Sequence, residues 1–229
     1  MTQRLTGISS MAIRALLAEL LTNYPSADGC TPQLESVGGV DAAKRVMAGE
    51  VFDLVVLASD AIDRLISAGR VLPGSRVDLV QSGVAVAVLA GVALPDISTE
   101  STLRSAVLAA RSIGTSTGPS GVQLAQLFER WGIAGQLRER TVVAPPGVPV
   151  GALVARGEVA LGFQQLSELI NQTGIQVVGP LPAAVQINTI FSAGVCSAAS
   201  QPQAARALIE FLASPEASQA KLRHGLTPA

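Results

Sequence analysis

VFDLVVLASDAIDRLISAG, residues 51–69, is the stretch that decides the fold. Its first part places Val51, Phe52, Leu54, Val55, Val56 and Leu57 in one short apolar run. A run of strand length that is apolar on both faces belongs inside a sheet covered on two sides. Ser59 follows as a helix cap, Ile62, Leu65 and Ile66 recur at helical spacing, and Gly69 ends the helix. The same unit repeats upstream. Leu34 to Val37 reads as a strand, Gly38-Gly39 as its turn, and Val40 to Ala48 as a helix stopped by Gly49. Before that, Arg4 to Ile8 is a strand, Ser10 a cap, and Ile13, Leu16, Leu17, Leu20, Leu21 and Tyr24 a helical apolar face. Three strand–helix pairs in series predict a mostly parallel sheet with helices on its faces.

Downstream the pattern breaks and restarts. Val84 to Leu89 is a long apolar alternation, and Ile187 to Cys196 is a second one. Between them helices are predicted over Leu103–Ala110, Gly121–Trp131 and Val148–Ala155, with strands at Ser112–Ile113, Val142–Val143 and Val159–Phe163. Helices Pro202–Ala213 and Pro215–His224 close the chain, the second with Ser214 as cap and Pro215 at its first position. One α/β unit is thus inserted into another. The expectation is a two-lobed α/β fold, each lobe a mixed, mostly parallel sheet flanked by helices. Lobe I takes residues 1–83 plus 193–229, lobe II takes 84–192, and a hinge lies near 84–90 and 187–196. A single doubly wound sheet without a hinge satisfies the same pattern.

Composition narrows the function. Hydrophobic residues make up 48% and charged residues 14%, which excludes a disordered chain. The net charge is -1 with no basic run, and aromatics are only 3%, so neither a phosphate-tracking patch nor a base-stacking platform is present for nucleic acid. No apolar run is long enough to insert in a membrane. MTQRLTGISS lacks the features of a signal peptide, so the chain as written reads as cytoplasmic, or as periplasmic if an export signal has been removed. Cys30 and Cys196 are too few and too far apart for a disulfide framework and read as unpaired.

In open α/β sheets ligands bind beyond the carboxyl ends of the strands. The turns there are Gly7 to Ser10, Val37 to Val40, Leu57 to Asp60, Thr115 to Gly121, Pro145 to Pro149 and Phe163 to Ser167. They are rich in Ser, Thr, Gly and Gln and poor in charge. Helix starts offer unpaired N–H groups and partial positive charge, and hydroxyls add donors, so such turns suit a small anion without Lys or Arg. Taken one at a time, they are also ordinary helix caps. The lone His224, in the last helix, reads as a C-terminal helix cation rather than a catalyst. There is no nucleophile elbow, no phosphate-binding loop and no dinucleotide fingerprint, and the His and Cys content does not support a metal site.

At these turns the sequence resembles the molybdate-binding solute-binding family of ABC transporters. The matching pieces are LTGISSMAIRALLAEL, SVGGVDAAKRVMAGEVFDLVVLASDAID, STGPSGVQLAQLFERWGI, GALVARGEVALGFQQLSEL and ALIEFLASPEASQAKLRHG. The resemblance covers nearly the whole chain and implies the periplasmic-binding-protein fold, with a permease as a possible partner. It also implies ligand contacts: a first-turn Ser at Ser10 with Ser9 beside it, and backbone amides at Ser120 and Gly147. The family's second-turn Ser falls on Gly39 and its Tyr on Gln165, so tetrahedral metal oxyanions are in doubt and a planar carboxylate fits better. The expected binding set is Ser9, Ser10, Gly38, Gly39, Ser59, Ser120, Gly121, Gly147, Gln164 and Gln165. Aconitate isomerase looks like a catalytic branch of this family.

Three functions compete. The first is a solute-binding protein that closes over a small anion, more an organic di- or tricarboxylate than molybdate. The second is a cofactor-independent isomerase of a small tricarboxylic acid. It needs a base, with Asp41 and Glu168 the candidates and Asp60 a weaker one, although each also fits a helix-start carboxylate. The third is a ligand sensor without its DNA-binding domain, which no helix-turn-helix segment supports.

Overall fold

The computed structural model describes residues 4–25, 31–145 and 147–229, so Cys30 and Pro146 lie outside the described residues. The chain divides into two compact units, Met1–Gln81 with Ile190–Ala229, and Ser82–Thr189.

The first unit opens with β1 (Arg4–Ser10), α1 (Arg14–Thr22), β2 (Thr31–Val37), α2 (Gly39–Met47), β3 (Leu54–Ala58) and α3 (Ser59–Ser67), then the start of β4 (Val77–Leu89). The second holds the rest of β4, then α4 (Glu100–Ala109), β5 (Ile113–Thr115), α5 (Pro119–Arg130), α6 (Ala134–Leu137), β6 (Thr141–Val143), α7 (Val150–Ala155), β7 (Leu161–Gln165), α8 (Leu166–Leu169) and β8 (Ile175–Pro180). β9 (Asn188–Val195) leads back to the first unit, which ends in α9 (Pro202–Ala213), α10 (Ser218–Arg223) and β10 (Thr227–Pro228).

In the first unit β2, β1 and β3 run parallel and β9 runs antiparallel to β3. Alternation along β3 sets the layers. Leu54 and Val56 face α1 and α9 with Leu16, Leu20, Leu208 and Leu212, whereas Val55 and Leu57 face α2 and α3 with Val46, Ile62 and Leu65. All five residues of β3 are buried, and full burial of each large aliphatic side chain contributes roughly 1.5–3 kcal/mol. The strand starts later than the apolar run suggests. Val51 is 64% exposed, and Asp53 turns its carboxylate to Thr6, Ser200 and Gln201. β1 also runs through Ser10, so Gly7–Ser10 is strand rather than turn. Gly7 is there because a Cβ would meet the Leu34 side chain at 2.9 Å.

In the second unit β6, β5 and β7 are parallel, and β4 runs antiparallel to both β7 and β8. Val84, Val86, Leu161 and Phe163 pack under α4 and α5 with Leu103, Leu124 and Phe128. On the other face Ala85 and Ala87 meet Leu169 of α8. The residues read as one strand from Val84 are the second half of the longer β4. The predicted Val159–Phe163 strand lies two residues later, at Leu161–Gln165.

Candidate functional site

In the first unit the register aligns the carboxyl ends of three neighbouring strands, because Ser10 pairs with Val37 of β2 and Ser9 with Val56 of β3. Gly38-Gly39, Ser10 and Ser59 therefore share one edge of the sheet. Period-2 alternation separates the two adjacent serines. Ser9 is fully buried, with Oγ 2.7 Å from Ser36 Oγ and donating to the Glu35 carbonyl at 3.3 Å, so its hydroxyl is engaged within the sheet. Ser10 faces the α2 side. Its Oγ accepts only a long bond, 3.4 Å, from the Ala12 amide at the head of a short 3-10 turn. A Cβ on Gly39 would stand 3.4 Å from that Oγ, so the missing side chain leaves room beside the hydroxyl.

Ser59 is not the cap of α3. The helix starts one residue earlier, with Ala58 at the cap position and Ser59 as its first residue, partly exposed. Asp41 lies back over the start of α2, its Oδ2 3.3 Å from where a Gly38 Cβ would be, a place the helix dipole favours for a carboxylate. Asp60 is an exposed partner of Arg64 at 2.8 Å.

In the second unit the loop after β5 folds back on itself. Ser116 Oγ and Ser120 Oγ are 3.3 Å apart. Gly121 is required for closure, since a Cβ there would come within 1.9 Å of the Ser116 carbonyl oxygen. Its amide donates to the Gly118 carbonyl, so Gly121 shapes the loop and offers no free donor. Gly147 is exposed and holds φ at 77°, a left-handed backbone that suits glycine.

The two glutamines at the carboxyl end of β7 also face opposite sides. Gln164 is 3% exposed and fully engaged: Oε1 accepts from the Gly151 amide at 3.1 Å, and Nε2 donates to Glu168 Oε1 at 2.8 Å. That pairing ties Gln164 to the start of α7 and to α8. Gln165, 4% exposed, donates from Nε2 to Thr189 Oγ1 at 2.9 Å, while its Oε1 has no partner. Ser82 Oγ and Ser167 Oγ are also buried without partners. A buried polar atom without a partner costs about 1–3 kcal/mol. Thr189 and Ser82 lie outside the turns that the sequence marks, whereas Ser167 closes one of them. The available signal was a small polar residue within an apolar strand run, as Thr189 is between Ile187 and Phe191.

Glu168 is the carboxyl of the second unit whose pKa is shifted upward. Burial pushes it from 4.5 up to about 7, against a smaller downward pull from the Gln164 hydrogen bond. Other perturbed groups are structural. Burial works to raise Asp53, but hydrogen bonds from the Thr6 and Gln201 amides and from the Ser200 and Thr6 hydroxyls hold it below the usual carboxylate range. Burial and the Asp53 charge push the Cys196 thiol up to about 12, so it is inert. His224 Nε2 sits 2.8 Å from Glu19 Oε2, which fits a tie between the last helix and α1. Among the described residues no cluster of His, Cys, Asp and Glu gathers to hold a metal, and no helix is long and apolar enough to cross a membrane.

The chain is similar to several known proteins. Residues 5–227 match the family described as bacterial extracellular solute-binding protein. An aconitate isomerase from a Pseudomonas species is 38% identical over 230 residues, covering 98% of this chain and 87% of that protein. The periplasmic molybdate-binding protein of Azotobacter vinelandii superposes with a TM-score of 0.80 at 20% identity, covering 97% of this chain and 98% of that one. The binding protein AgtB from A. tumefaciens R10, in complex with agropinic acid, gives 0.76 at 13% identity over 100% and 83% of the two chains.

Proposed function

The chain belongs to the bacterial extracellular solute-binding protein family, and we propose that its ligand is a small di- or tricarboxylate on which it shifts an allylic proton. Glu168 is the observation that carries this reading. A carboxyl poised at about 7 can both take and return a proton near neutral pH. Glu168 Oε1 is held by Gln164, and Oε2 has no partner among the described residues. The step balances without a cofactor. The carboxylate takes a proton from the methylene next to the double bond, the electron pair moves the double bond along, and a proton returns to the far allylic carbon. Nothing is oxidised or reduced. The 38% identical aconitate isomerase supports the same class of substrate.

The donors proposed for the acid beside Glu168 are those of the second unit, Ser120, Gly147 and Gln165. Neutral hydroxyls, amides and helix starts stabilise a carboxylate and the charge that develops when its α-carbon loses a proton. Gln165 can donate to the acid only through the second hydrogen of Nε2, the first going to Thr189 Oγ1; its unpartnered Oε1 is an acceptor and suits a protonated carboxyl or a hydroxyl.

A second reading, delivery of the acid to an ABC transporter permease without chemistry, is favoured by the same neutral donor set, which holds an anion but does not react with it. Two measurements separate the readings. Thermal shift with cis-aconitate, trans-aconitate and molybdate tests the ligand. An acid at about 100 times its Kd adds roughly 2.7 kcal/mol. Stabilisation by molybdate alone contradicts the proposed ligand class. Interconversion of the aconitates supports the isomerase, and tight binding without turnover supports delivery.

A further inference from the structure

The pairing of Gln164 extends this reading. Its amide orientation is not open to choice. The Gly151 N–H can only donate, so it must meet Gln164 Oε1, at 3.1 Å, and Nε2 is thereby directed at Glu168 Oε1, at 2.8 Å. Gly151 is placed by packing: a Cβ there would meet Gln172 Cγ at 3.0 Å and Leu169 Cδ2 at 3.2 Å, so the start of α7 lies hard against α8. The chain from the Gly151 amide through Gln164 to Glu168 therefore joins α7, the end of β7 and α8 in one fixed geometry.

We propose that Gln164 is a positioning residue: anchored on the Gly151 amide, it grips Glu168 Oε1 and leaves Oε2 as the single oxygen that exchanges a proton with the substrate. Its catalytic consequence rests on the proposed role of Glu168; the orientation itself does not. No ionised neighbour competes for the carboxyl. α7, β7, β8 and the residues of β4 from Ser82 onward carry no ionisable side chain, and the apolar contacts on this face are Ala85, Ala87 and Leu169. The donor from Gln164 favours the ionised form, so it opposes the burial that holds the proton on. The amide thus sets both the direction and the acidity of the group.

The experiment uses the full chain with 13C-labelled glutamate carboxyls, Glu168→Gln identifying the Glu168 signal. In Gln164→Met, similar in size but without the donor, the Glu168 titration is expected to move up by about one pH unit, the size of one charge-assisted hydrogen bond. On aconitate, kcat is expected to fall roughly 10- to 100-fold through lost orientation. KM should change little, and the acid limb of the rate profile should move with the titration. Should Gln164→Met not fold, Gln164→Glu keeps an acceptor for the Gly151 amide while removing the donor, and the Glu168 titration again moves up. An unchanged Glu168 titration in either folded variant overturns the proposal. A chain that isomerises nothing, but whose Glu168 titration moves as described, contradicts the isomerase reading and leaves the positioning role supported.

Discussion

Replacing Glu168 by Gln should make the protein more stable, and more so as pH rises. Burial raises the carboxyl from 4.5 to about 7 in the folded chain, so the folded state holds a proton that the unfolded state gives up between those values. Stability from this group is fully present below pH 4.5 and is lost as pH climbs through 7. The whole effect is at most about 3 kcal/mol, from a pKa raised from 4.5 to about 7 at about 1.4 kcal/mol per pH unit. Solvent reaching the partly exposed carboxyl reduces this to roughly 1–3 kcal/mol. Gln keeps an oxygen to accept from Gln164 Nε2, so the substitution removes the charge and leaves the hydrogen bond. Urea unfolding of wild type and Glu168→Gln at pH 5 and pH 8 measures the difference directly. The variant should gain about 1 kcal/mol or more between the two, a rise of roughly 2–4 °C in Tm for a chain of this size. A difference between variant and wild type that is the same at both pH values refutes the burial argument.

Ser10→Ala should be only mildly destabilising in urea unfolding. It should cost less than the roughly 1 kcal/mol of a good cap, because the Ser10 bond to Ala12 is already 3.4 Å long. Gly121→Ala should be among the most damaging single changes, about 3 kcal/mol or more by denaturant unfolding, since its Cβ would stand 1.9 Å from the Ser116 carbonyl oxygen. Asp53→Asn should flatten the acid limb of the stability curve. The Asp53 pKa is depressed, so its contribution is present above the ordinary value of 3.8 and is lost as pH falls through the folded value; thermal melts below pH 4 should show wild type losing more than the variant.

The strand–helix order was legible because each βα repeat carries its own apolar period, and two of the first three a glycine stop, Gly49 and Gly69, which take φ of 92° and 69°. Where the reading failed, a distant partner decided. Asp53 sits inside the apolar run that begins at Val51, yet its carboxylate is held by Thr6, 47 residues away, and Ser200, 147 residues away. Nothing local reveals such partners, and the strand start moved to Leu54. The adjacent pairs Ser9-Ser10 and Gln164-Gln165 show a related limit. Strand alternation guarantees that only one member of each pair faces a given side. Which one stays open depends on Ser36 in the first case and on Gly151 and Thr189 in the second. Glu168 was legible as a carboxylate beside a turn, but its changed acidity comes from burial, which only the folded chain supplies.

Deuterium exchange tests the central claim most directly. Incubated with trans-aconitate in deuterated water and followed by proton NMR, the wild-type chain should replace the allylic hydrogens with deuterium and release cis-aconitate. Glu168→Gln should bind the acid with similar affinity and do neither. A folded wild-type chain that binds the acid but leaves its allylic hydrogens in place contradicts the account, as does a Glu168→Gln variant that exchanges them at the wild-type rate.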